Sequence, residues 1–189
     1  SIFVTPGIYP AYATAGEAPE PLFCMHTYPL PFRLWADKYE AGQALITSSI
    51  GQVPSSCWPP ELKCRSRMHY YLADREAAAR EPGARAVLLD QAGCVTEAST
   101  ANVLAYRGDE GLVSPPRSAV LPGISLATVE ELASRLGIAT VARPLLPDDL
   151  TTADEVLLSS TPLCLLPVVR YDGRPVGRGE PGPVFRGLL

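Results

Sequence analysis

Twenty prolines are spread along a chain of 189 residues, roughly double the usual share. Each fixes φ and removes a backbone donor, so each tends to end or interrupt a helix and is poorly tolerated in the middle of a sheet. A bundle of long helices is therefore a poor fit, and the expected form is a set of short strands and helices joined by ordered loops. Apolar residues make up 47% of the chain, enough for a sizeable core and too many for a disordered proline-rich tract. The fold class read from this pattern is α+β with strands predominating.

Local signals place the elements. Segments 1–5 and 22–28 read as strands by their apolar and β-branched content, with a proline- and alanine-rich connection over 6–21. Further strands are expected over 44–50, 86–90, 94–97, 102–106, 138–142, 155–159 and 165–170. A helix is expected over 69–80, with Met68, Tyr70, Leu72, Ala73 and Ala77 as its apolar stripe. A second is expected over 125–136, with Ile124, Thr128, Val129, Leu132 and Leu136 facing the core and Gly137 at the C-cap. A short helical turn at 148–153 is expected to be capped by its aspartates, and Asp172-Gly173 signals a tight hairpin. Ser1 leads directly into a strand-like run, which reads as a chain cut or processed upstream.

Charge narrows the function classes. The net charge is −4 and no basic run occurs, so nucleic-acid binding by counterion release has little support. The apolar stretches are too short to span a bilayer. Five cysteines form no CxxC pair and, with only two histidines, make a poor metal-ligand set. Free thiols in a reducing cytoplasm are the simplest reading of them.

Four segments carry the chemical signal. Only two of the 16 basic residues are lysines, Lys38 and Lys63. Lys63 stands just before a helix among apolar and aromatic residues, where a lowered pKa would make it a Schiff-base nucleophile; an exposed loop charge is the alternative. Glu97 ends a strand beside Ala98-Ser-Thr-Ala101. A carboxylate among small residues suits a flat ligand with a protonated ring nitrogen, and a solvated hairpin end fits the local sequence equally well. Leu121-Pro-Gly-Ile-Ser125 runs into a helix whose free N–H groups favour phosphate. Ser159-Ser-Thr161 adds a second hydroxyl cluster, unless it is an ordinary turn. An amine, a carboxylate and two anion cradles in this order suggest pyridoxal phosphate chemistry. No GxSxG, GxGxxG or P-loop pattern offers a competitor.

From about Ala41 onward these segments resemble the class IV (fold type IV) pyridoxal-phosphate enzymes. That family includes branched-chain and D-amino acid aminotransferases and aminodeoxychorismate lyases. The matching motifs are Lys63 with Glu76-Ala77, Ala86-Val-Leu-Leu-Asp90, Gly93-Cys-Val-Thr-Glu-Ala-Ser-Thr-Ala-Asn-Val103, Leu121-Pro-Gly-Ile-Ser125, Ala153-Asp-Glu-Val156, Thr161, Leu166-Pro-Val168 and Asp172-Gly173. The resemblance implies a strand-rich pseudo-barrel with flanking helices over residues 41–189. It also implies a linker over 31–40 and a remnant of a smaller N-terminal domain over 1–30. It assigns Lys63 as the Schiff-base lysine and proton carrier, and Glu97 as partner of the ring nitrogen. Ile124, Ser125, Ser160 and Thr161 would hold the phosphate, and Asn102 would steady the strand of Glu97. Arg67 replaces the tyrosine common in aminotransferases and would serve the cofactor's phenolic oxygen or a substrate carboxylate.

The expected activity is amine transfer between amino acids and keto acids, branched-chain-like, in a cytoplasmic homodimer. The alternative is a lyase that releases pyruvate and 4-aminobenzoate, which Arg67 favours because its spacing from Lys63 resembles the lyases. A fold retained without turnover is the third reading. Pro162-Leu-Cys164 is bulkier than the family's usual small-residue loop, which leaves the substrate open.

Overall fold

The computed structural model describes residues 1–16 and 20–189. Residues Ser1–Pro31 form one compact unit and Phe32–Leu189 another. In the first, β1 (Ile2–Thr5) pairs antiparallel with β2 (Leu22–Met25), Ile2 opposite Met25 and Thr5 opposite Leu22. The connection carries a 3₁₀ turn at Pro10–Tyr12; the part of the expected loop at 17–19 lies outside the described residues. β2 ends three residues sooner than its apolar pattern suggests.

The second unit is built on one sheet of nine strands: β3 (Gln43–Thr47), β4 (Arg85–Leu89), β5 (Val95–Ala98), β6 (Ala101–Arg107), β7 (Gly111–Ser114), β8 (Thr140–Ala142), β9 (Glu155–Ser160), β10 (Cys164–Tyr171) and β11 (Arg174–Pro175). Neighbours run β10–β3–β4–β5–β6, and β9 pairs with both β6 and β10. Six strands therefore close into a barrel and remove their own edges. β7–β8 and β11 extend it on either side. Irregular register between Val87 and Leu89 and between Val168 and Arg170 supplies the bends that closure needs. Pro167 is tolerated in a barrel strand because pairing of β10 with β3 starts only at Val168. Asp172 (φ 46) and Gly173 (φ 77) make the tight hairpin into β11.

Alternation along the strands sorts the core. Leu45, Val87, Ala98, Val103, Ala105, Val156 and Leu158 fill one cluster, the barrel interior. Their neighbours Leu104 and Leu157 point to a second cluster under helices, and Ile46, Ala86 and Leu88 to a third. Strands covered on both faces read as continuous apolar runs, as Glu155-Val-Leu-Leu158 does. Each fully buried leucine, such as Leu45, Leu157 or Leu158, contributes roughly 2 kcal/mol by leaving water.

Five helices accompany the barrel: α1 (Lys38–Ala41), α2 (Met68–Arg80), α3 (Ile124–Arg135), α4 (Pro147–Thr151) and α5 (Pro183–Leu188). The faces of α2 and α3 differ from the expected stripes. Met68 and Leu72 are exposed, and Ala73 and Ala77 alone of that stripe are fully buried, because α2 lies close against β4 and only small side chains fit between. On α3 the buried residues are Leu126, Val129 and Ala133, while Ile124 is 79% exposed. Two residues turn a helix by about 200°, so seating Leu126 in the core aims Ile124 outward. Asp149 caps α4 by accepting the Leu146 N–H at 2.7 Å. α1 and α5 are not legible in the sequence. Glu155 of β9 holds α5 by accepting the Val184 and Phe185 N–H groups at 2.7 and 2.9 Å.

Candidate active site

A cavity of about 430 Å³ opens between the first turns of α2 and α3. Its floor is a row across three strands: Glu97 of β5 pairs with Asn102 of β6, which pairs with Ser159 of β9. All three side chains face away from the barrel interior, because Ala98, Val103 and Leu158, their neighbours in sequence, face into it. Lys63 comes from the other wall, the loop over 48–67, where a tight turn joins Cys64 N–H to Leu62 C=O at 2.6 Å. The cavity lining includes Lys63, Arg67, Glu97, Ile124, Ser125, Ser160 and Thr161. Segments up to 98 residues apart in sequence thus meet at one place.

Glu97 is the most constrained group. It is only 8% exposed. Its Oε1 accepts the Leu121 N–H at 2.9 Å and Asn102 Nδ2 at 3.2 Å. Its Oε2 accepts the Tyr70 hydroxyl at 2.8 Å and Gln52 Nε2 at 3.3 Å. Burial pushes the carboxyl above its usual range, against the bonds from Tyr70 and Leu121 and the charges of Lys63 and Arg67. Burial pushes the Lys63 ammonium below its usual range; Arg67 adds to this and Glu97 opposes it. Each group is thus moved toward neutrality. Such opposed, environment-driven shifts in one cleft make it a candidate functional centre.

The far end offers hydrogen-bond donors that an anion could accept. α3 starts at Gly123 with no side-chain cap, so its leading N–H groups face the cavity without a protein oxygen supplied by the cap. The Ser159 hydroxyl is fully buried, lines the cavity and has no hydrogen-bond partner. Leaving a hydroxyl so costs about 1–3 kcal/mol, a cost a bound acceptor removes. Asn102 Nδ2 also donates to Leu121 C=O at 2.9 Å, tying the carboxylate to this loop. Gly123 is required there: a Cβ would overlap Asn102 Oδ1.

The chain matches the family model for amino-transferase class IV over residues 2–171. It belongs to the class IV aminotransferases. A putative branched-chain-amino-acid aminotransferase of Methanocaldococcus jannaschii is 30% identical over 167 residues, covering 88% of this chain and 56% of its own length. The fold is similar to Escherichia coli branched-chain amino acid aminotransferase, with TM-score 0.84 and 28% identity over 99% of this chain and 61% of that one. A branched-chain amino acid aminotransferase of T.th., solved with pyridoxamine 5′-phosphate, is 34% identical with TM-score 0.75 over 79% of this chain and 49% of that one. The chain spans about half the length of these relatives.

Sequence reasoning overlooks two contributors and stops short of a third. Tyr70 reads as core in the sequence, although it stands in the first turn of α2, three residues after Arg67 at the end of the loop. Gln52 carries no signal, since its partners are 18 and 45 residues away. Ser159 stands in the recognised hydroxyl cluster, but only the pairing of β9 with β6 reveals its orientation. His69 also lines the cavity; burial, with Arg67, pushes its pKa down.

Proposed function

We propose that this chain carries the cofactor site of a pyridoxal-phosphate-dependent aminotransferase for amino acids and keto acids, branched-chain-like in its substrates. The observation that carries the reading is the joint lining of one cavity by the Lys63 amine, the buried Glu97 carboxylate and a helix start with an unsatisfied serine hydroxyl. The donor set fits pyridoxal phosphate. Ile124 and Ser125 with Ser159, Ser160 and Thr161 would hold the phosphate, Glu97 the ring nitrogen, and Arg67 the phenolic oxygen or a substrate carboxylate. When bound, the cofactor supplies an aldehyde that reacts with amines and a ring that withdraws electrons from the substrate carbon.

The chain's own residues supply the rest. The depressed pKa of Lys63 enlarges the fraction of amine that is neutral, ready to attack at Nζ and then to carry a proton. Glu97, fixed by four donors, would offer its carboxylate to a ring N–H⁺. The barrel strands of Glu97, Asn102 and Ser159 give it a rigid seat.

Residues 1–30 are read as a remnant of a smaller N-terminal domain, with a linker over 31–40 and the cofactor domain over 41–189. The protein is read as a homodimer. Five free thiols support a reducing, cytoplasmic setting, and no helix among the described residues is long and apolar enough to cross a membrane.

Titrating the chain with pyridoxal phosphate should generate a visible band, and a panel of L- and D-amino acids should bleach it with release of keto acid. No band, or a band indifferent to amines, contradicts the reading. Arg67 at the cavity keeps the lyase alternative distinct: release of pyruvate and 4-aminobenzoate from aminodeoxychorismate, without response to amino acids, would support it instead.

A further inference from the structure

Tyr70 faces Glu97 from the first turn of α2, and its hydroxyl makes the shortest of the four bonds to that carboxylate, 2.8 Å. Glu97 has about four acceptor positions, and all are taken in the protein alone. A ring N–H⁺ must therefore displace one donor. Asn102 is anchored as well to Leu121 C=O at 2.9 Å, and the Leu121 N–H is main chain. Gln52 makes the longest of the four bonds, 3.3 Å to Glu97 Oε2; its Nε2 also lies 3.3 Å from the Tyr70 hydroxyl, and among the described residues its only other side-chain bond is local, from the adjacent Val53 N–H to Oε1 at 3.0 Å.

We propose that Tyr70 is a positioning residue that aims and keeps charged the Glu97 carboxylate, while Gln52 is the stand-in donor that gives way to the cofactor's ring nitrogen. This rests on the reading that the cavity takes pyridoxal phosphate. The charged and titratable groups facing Glu97 are Tyr70 from α2 and Lys63 and Arg67 from the loop before it. The two cations act through space, whereas Tyr70 donates a bond and so sets direction. The Tyr70 ring packs beside Ala73 and Ala77 against the outer core, which holds the hydroxyl in place. Burial, followed by the Glu97 charge, pushes the Tyr70 pKa far up, so it remains a donor across the working range.

The test compares the chain with Tyr70→Phe, which keeps the ring, and with Gln52→Leu. The Glu97 titration is read by infrared difference against Glu97→Gln, and pyridoxal phosphate affinity by spectral titration. Losing a bond to a charged acceptor should raise the Glu97 titration in Tyr70→Phe by roughly one pH unit and weaken cofactor binding about tenfold. Gln52→Leu should bind at least as tightly as the parent. Unchanged titration and affinity in Tyr70→Phe, or an equal loss in Gln52→Leu, overturns this proposal alone. A parent chain that takes up no pyridoxal phosphate overturns the functional reading and this proposal with it.

Discussion

Lys63 and Glu97 face one cavity from walls built in opposite ways. The wall of Glu97 is three barrel strands in register, with Ala98, Val103 and Leu158 locked in the interior just behind it. The wall of Lys63 is a loop whose start is tied to Val87, Leu89 and Glu76, and whose later part, around Lys63, is held by local turns, Cys57 to Pro54, Leu62 to Pro59 and Cys64 to Leu62. Pro54, Pro59 and Pro60 restrict that loop by limiting its unfolded alternatives. The difference separates two tasks. In the proposed function, a group that holds a ring nitrogen needs a fixed position, and a group that bonds and carries a proton needs reach. The strand wall would give the first and a long side chain on a loop the second.

Substitutions on the two walls should therefore fail differently. Lys63→Ala should abolish amine transfer, while unfolding in urea stays within about 0.5 kcal/mol of the parent; a large loss of stability would mean the loop wall is structural after all. Leu158→Ala should cost about 3 kcal/mol in the same measurement, because the barrel interior cannot collapse round the gap. Asn102→Ala should cost about 2 kcal/mol, since Glu97 and Leu121 lose a buried donor, and it should weaken cofactor binding too.

Ser159→Ala should separate stability from binding on the strand wall. Its hydroxyl has no partner in the protein alone, so its removal should leave stability equal or slightly higher. Pyridoxal phosphate affinity, by spectral titration, should nevertheless fall about tenfold. The smallest expected effect is on pH dependence. Glu97 titrates above the ordinary value of 4.5 when folded. Between the two values the folded state holds more protons, so stability falls as pH rises through that window. Urea titrations across this range should show that slope in the parent, and Glu97→Gln should lose the Glu97 part of it.

Much of the strand wall is legible as strands and little of it as a wall. Runs such as Ala86-Val-Leu-Leu89 and Glu155-Val-Leu-Leu158 announce themselves through local composition, and Asp172-Gly173 through the φ values its turn demands. The burial of Glu97 depends on pairing with Asn102 and, through it, Ser159, which is 62 residues away, and local sequence does not carry that distance. The insertion of β9 between β6 and β10 closes the barrel for the same long-range reason. Helix α3 lies almost where its pattern predicts, yet its face is rotated, because packing against β9 decides which residues turn inward. α5 is hidden by the glycines and prolines around it; its start depends on Glu155, about 30 residues upstream. The loop wall gives up Lys63 through rarity and order, but Gln52 and Tyr70 gain meaning only when Glu97 is placed beside them.

In the proposed function, Lys63 is the residue of this cavity that reacts with the cofactor's aldehyde. Borohydride reduction of the chain with pyridoxal phosphate, followed by peptide mass spectrometry, tests it directly. One cofactor mass per chain is expected, carried by the peptide containing Lys63, with no such label in Lys63→Ala. Label on Lys38 or on the N-terminal amine with Lys63 unmodified would contradict it.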